Sequence, residues 1–112
     1  MDASPPRITV VRNDPSDVQT RQIEVSLDGE HIGTLLYGDW LTRETTPGKH
    51  RLRAHNTLFW KTHDLDLQPG DEIRFKAINR AGTGTFSLLG ILGVGPLYIT
   101  FEREDNRADS SR

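Results

Sequence analysis

Four histidines and sixteen acidic residues are the groups in this 112-residue chain with the most obvious chemistry, and cysteine is absent. Neutral imidazole is a common zinc or nickel ligand, so His31, His50, His55 and His63 are the first candidates for a metal centre. Their spacing opposes one. Side chains alternate faces along a strand, so His50 and His55, an odd number of residues apart, point to opposite sides, and no His-Glu-x-x-His phrase occurs. The expectation is exposed histidines on strand faces and turns. Asp64 and Asp66 share a strand face about 7 Å apart, a spacing that overlaps the carboxylate separation of inverting glycoside hydrolysis. Their alternation with Leu65 and Leu67 explains them equally as a solvent face. Gly82-x-Gly84 and Gly90-x-x-Gly93-x-Gly95 are not followed by the helix whose amides would cradle a phosphate, and Gly-x-Ser-x-Gly is absent. The chain therefore reads as non-enzymatic, with no catalytic residue, metal or cofactor.

Large apolar residues in unexpected places suggest binding instead. Leu58-Phe59-Trp60 follow Asn56-Thr57 where a polar strand connection is expected, and Tyr37 and Trp40 stand near another turn. Exposed aromatics of this kind can stack on a sugar or anchor a protein partner; the competing reading places Phe59 and Trp60 in the core at one end of the fold. The run Phe86 to Val94 is almost wholly apolar. It is either a strand buried on both faces or an exposed loop for self-association, membrane or partner contact, with Leu88 and Leu92 as its contact residues. Trp40, Phe59, Trp60, Leu88 and Leu92 are thus the candidate ligand- or partner-binding residues. A protein-contact or structural module is the leading expectation, and a carbohydrate-binding module using exposed aromatics is the alternative.

Composition supports a folded body: 34% of residues are hydrophobic and 27% charged, and the chain has the length of one domain with one core. A net charge of −2 supplies no field for nucleic acid. Met1 to Arg7 lacks a basic start followed by an apolar stretch, which implies a cytoplasmic location. Thr85 to Phe101 is broken by Gly90, Gly93, Gly95 and Pro96, so no transmembrane segment is expected.

Period-two alternation dominates. Ile8 and Val10 share one face, as do Ile23, Val25 and Leu27; Leu52 and Ala54; Ile73, Phe75 and Ala77; and Ile99 and Phe101. Turn formers separate these segments at Asn13–Asp17, Asp28-Gly29, Pro47-Gly48 and Gln68–Asp71. The pattern predicts an all-β antiparallel sandwich of about seven to eight strands, immunoglobulin-like or prealbumin-like, over residues 7–104. Residues 1–6 and 105–112 are expected to be disordered polar ends.

One phrase extends this reading: Val25-x-Leu27-Asp28-Gly29-x-x-Ile32-Gly33-x-Leu35, then Gly38, Pro47-Gly48-x-His50-x-Leu52-x-Ala54 and Leu65-x-Leu67-x-Pro69-Gly70. It resembles the PEGA-like repeats and related small bacterial domains of the transthyretin-like, carbohydrate-binding-like sandwich group. The resemblance implies a hairpin tip at Asp28-Gly29, a return strand from Ile32-Gly33, a further strand opening after Pro47-Gly48, and a non-catalytic accessory role. Thr34-Leu35-Leu36 stands where that pattern has a proline shortly after Ile-Gly.

Overall fold

Alternation makes each strand two-faced, and two such sheets hide their apolar faces against each other. The computed structural model describes residues 4–56, 59–81 and 97–104. Among them the chain is all-β, with no helix: β1 (Arg7–Val11), β2 (Ile23–Leu27), β3 (Glu30–Leu35), β4 (Trp40–Glu44), β5 (Gly48–His55), β6 (Trp60–Leu67), β7 (Glu72–Ala81) and β8 (Leu97–Arg103). Two four-stranded sheets result, ordered β4-β1-β7-β8 and β3-β2-β5-β6. Neighbouring strands are antiparallel except β1 and β7, which run parallel. No helix of the described residues is long and apolar enough to cross a membrane. The run Phe86–Val94, with Leu88 and Leu92, and the tail 105–112 lie outside the described residues.

The inward residues, from Ile8 and Val10 through Leu52 and Phe75 to Ile99 and Phe101, form one buried cluster between the sheets. Each large side chain fully withdrawn from water contributes about 1.5–3 kcal/mol. Asp28 and Gly29 make the expected two-residue hairpin, with φ of 54° and 86° and Leu27 paired to Glu30. Positive φ at both central residues matches the right-handed twist of the flanking strands. At the N-terminal end, the carbonyls of Ser4 and Pro6 accept hydrogen bonds from Gly70 and Thr45, and Pro6 is buried.

Both open sides of the sandwich are plugged. On one, Leu41 of the edge strand β4 lies so close over β3 that a methyl group at Gly33 would meet its Cδ2 at 2.5 Å. On the other, His63 of β6 donates from Nε2 to the Phe101 carbonyl of β8 at 2.6 Å. Its ring centroid lies 4.9 Å from that of Phe75 and 5.4 Å from that of Phe101. This capped carbonyl makes the β8 edge a poorer template for another strand. The histidines are therefore not all exposed decoration. His63 shares the inward phase of Leu65 and Leu67, and His50 that of Leu52 and Ala54. The His50 side chain is only 9% exposed and lies against Asp28.

Candidate functional site

Val11 pairs with Trp40, Ile23 with Leu35, His55 with Trp60 and Ala81 with Leu97. Connection 12–22, connection 36–39 and the turn from Asn56 to Phe59 therefore meet at one end of the sandwich, where β7 ends and β8 begins. What holds this end is polar and buried. Arg12 is fully buried and uses all five of its N–H groups. Nε and Nη2 clasp the two Asp17 oxygens at 2.9 and 3.0 Å, Nη1 donates to the Arg21 and Leu35 carbonyls, and Nη2 also donates to the Thr20 carbonyl. Burial pushes the Asp17 carboxyl up, yet Arg12 and the Gln19 and Asn79 amides together hold it below the usual carboxylate range. Gln19 and Arg21 adopt φ of 69° and 61°, a strained region for residues with a side chain. Arg12 binds the carbonyls of Thr20 and Arg21 in that same stretch, so the clamp stabilises the strained loop.

Asparagines extend the clamp to the other sheet. Asn79 of β7 donates its amide N–H to Asp17, and its Oδ1 accepts from Asn56 Nδ2 at 2.9 Å. Asn56 in turn shapes the next connection: its Oδ1 accepts from the Phe59 backbone N–H, and its own backbone N–H donates to the Phe59 carbonyl. A chain of buried polar contacts thus runs from Arg12 to the residue preceding Trp60. None of these four polar residues was singled out from sequence, although a signal was present. Arg12 continues the inward phase of Ile8 and Val10, Asn56 that of Leu52 and Ala54, and Asn79 that of Phe75 and Ala77.

On this frame stand Leu36, Trp40, Phe59 and Trp60, which are 57%, 65%, 40% and 61% exposed. They are the exposed large hydrophobics among the described residues, and all four sit at this end. Phe59 and Trp60 thus face water and do not cap the core. Trp40 points outward from its sheet because its neighbour Leu41 packs inward. It borders an open hollow of about 370 Å³ lined also by Thr9, Val11, Asn13, Thr42 and Arg74. Trp60 points outward from the other sheet, beside His55. The two candidate patches therefore lie at the same end but on opposite sheets, separated by connection 12–22. Leu88 and Leu92 lie outside the described residues.

The other candidates form surface ladders. Asp64 is paired with Arg51 Nε at 2.8 Å and Asp66 with Lys49 Nζ at 3.9 Å. Arg51 holds Asp64 below its ordinary value, opposite to the shift a general acid needs. His31 Nε2 and Thr34 Oγ1 both reach Glu24 Oε1, at 2.7 and 2.6 Å, so the threonine proton goes to the carboxylate and the imidazole does not activate its oxygen. Among the described residues no three His, Asp or Glu side chains gather as a metal-binding group. No protein-family model matches the chain, and no curated protein matches it.

Proposed function

We propose that this chain is a non-enzymatic β-sandwich module that works by protein contact through its aromatic end, with a second copy of itself as partner. The observation that carries the reading is that, among the described residues, the exposed large hydrophobics all stand at that end. Exposed apolar side chains grouped in patches mark interaction surfaces, whereas scattered ones do not, and here they form two patches, one on each sheet. Charge favours a second copy. Phe59 and Trp60 are flanked by the exposed Arg53 and Lys61, while Leu36 and Trp40 are flanked by the exposed Asp39, and Arg74 beyond Trp40 is paired with Glu104. A two-fold arrangement sets one patch against the other in both directions, as isologous interfaces require. A net charge of −2 opposes the approach only weakly.

The PEGA-like resemblance belongs to the same proposal. It is supported by the hairpin at Asp28-Gly29 and by β5 opening at Gly48, whose φ is 115°. The test is light scattering coupled to size exclusion over a roughly tenfold concentration range, where mass action raises any oligomer. Growth toward a dimer that Phe59→Ser and Trp60→Ser abolish, without loss of the melting transition, is the expected result. A chain that stays monomeric throughout, or a dimer indifferent to both substitutions, overturns the reading.

A further inference from the structure

The hollow beside Trp40 has a different character from the rest of the aromatic end, because polar groups converge on it. We propose that it binds a pyranose ring of a neutral glycan. Its floor is apolar: Val11 pairs with Trp40 across β1 and β4 and is only 6% exposed although it faces outward, and the indole beside it stands open to solvent. Two residue pairs further along the sheet, on the same face, the Thr9 and Thr42 hydroxyls bond each other at 3.1 Å. That bond uses one hydroxyl hydrogen and leaves the other, with further lone pairs, for a ligand. Arg74 closes the hollow. Its Nε is tied to Glu104 at 2.8 Å, which orients the guanidinium and leaves the two Nη groups to donate. Asn13 adds an amide that both donates and accepts.

This set fits a sugar better than other ligands. A pyranose offers one face of C–H groups, suited to stacking on an indole, and a rim of hydroxyls that each donate and accept. The hollow offers an aromatic face, an aliphatic floor, and donors and acceptors in mixture. A polyphosphate or sulfated chain would need net positive charge. Here Arg74 is offset by Glu104, and Lys76 lies 3.4 Å from Asp14 and 3.6 Å from Glu104. A metal would need carboxylates, and none lines the hollow. A volume of about 370 Å³ lies at the small end of ligand sites. Because it opens on a sheet face, a longer chain can run past it.

The test is a titration of the full chain with neutral hexasaccharides of glucose, N-acetylglucosamine, xylose and mannose, followed by calorimetry. It is run dilute, where copies do not associate, so its outcome is separate from that of the self-association test. Saturable binding of at least one sugar below ~10 mM is expected. Trp40→Ala should weaken it at least about fivefold, as loss of a stacking partner does, and Arg74→Met should weaken it less. Trp60→Ala, on the other sheet, should leave affinity unchanged. Trp40 and Arg74 are both exposed, and an unchanged melting curve identifies folded variants. No saturation with any of the four sugars, binding that survives Trp40→Ala, or binding of a sulfated glycan alone overturns the assignment.

Discussion

The two ends of this sandwich are built on different principles. At one end the chain turns by local chemistry: Asp28 and Gly29 make a two-residue hairpin, and Asp71 bonds back to the Gln68 amide. Its side chains are polar, and Asp28 ties the hairpin to β5 through His50 at 2.6 Å and the Arg51 amide at 2.7 Å. At the other end the fixing groups are withdrawn from water. Arg12, Asp17, Asn56 and Asn79 hold the connections from inside, and Leu36, Trp40, Phe59 and Trp60 stand outside. When turn residues hold a connection they occupy its surface. When a buried network holds it, the surface positions are free for binding groups.

This contrast can be broken most severely at Arg12. Arg12→Met leaves Asp17 buried without its partner, which costs about 3–5 kcal/mol where buried pairs have been broken. Thermal unfolding should show a melting temperature lower by more than about 10 °C. Converting Asp17 to Leu in the same chain removes the orphaned charge, and the double variant should regain part of the loss. Additive losses would show that the pair is not a coupled clamp.

Next in size is Asn79→Ala, which removes the acceptor of Asn56 Nδ2 and the contacts to the Thr20 and Arg21 carbonyls. A loss of about 1–3 kcal/mol is expected by denaturant titration. Hydrogen exchange should speed up at Phe59, whose amide depends on Asn56. Unchanged protection there would mean that the asparagine bridge does not hold the aromatic turn.

The polar end should respond less, and to pH. The Asp28 hydrogen bond, opposed by burial, raises His50 above its usual 6.5, while His50 and the Arg51 amide lower Asp28 below its usual 3.8. The His50 contribution is fully present below pH 6.5 and is lost as pH rises through its raised value. The Asp28 contribution is present above pH 3.8 and is lost as pH falls through its lowered value. The pair thus stabilises most between those limits. Comparing melting at pH 5.5 and pH 8.5, Asp28→Asn should reduce the wild-type difference by a few degrees at most, about 1 kcal/mol or less, since Asp28 is half exposed. An unchanged difference removes the pair as its source. Smallest of all, Lys49→Gln should shift stability by less than about 0.5 kcal/mol, because both partners of the Lys49–Asp66 pair are exposed.

Strand positions were legible in the sequence because alternation and turn residues agree locally: Ile23, Val25 and Leu27 face inward, and Asp28-Gly29 turns the chain. Which strands became neighbours was not, since the parallel pairing of β1 with β7 joins segments about sixty residues apart and depends on the whole core. Trp40, Phe59 and Trp60 were recognisable as candidates by type and place. Their gathering at one end required the topology. The buried network was half written: Arg12, Asn56 and Asn79 extend inward phases one step past residues already assigned to the core. Asp17 was hidden, because a loop has no period from which to read its direction.

Amide spectra of the labelled chain, recorded over a roughly tenfold concentration range, compare the two ends most directly. Concentration-dependent shifts should appear at 36–40 and at Phe59 and Trp60, and be absent at 28–30, 46–50 and 68–71. Shifts confined to the polar end, or spectra that do not change at all, would contradict the assignment of the aromatic end as the working surface.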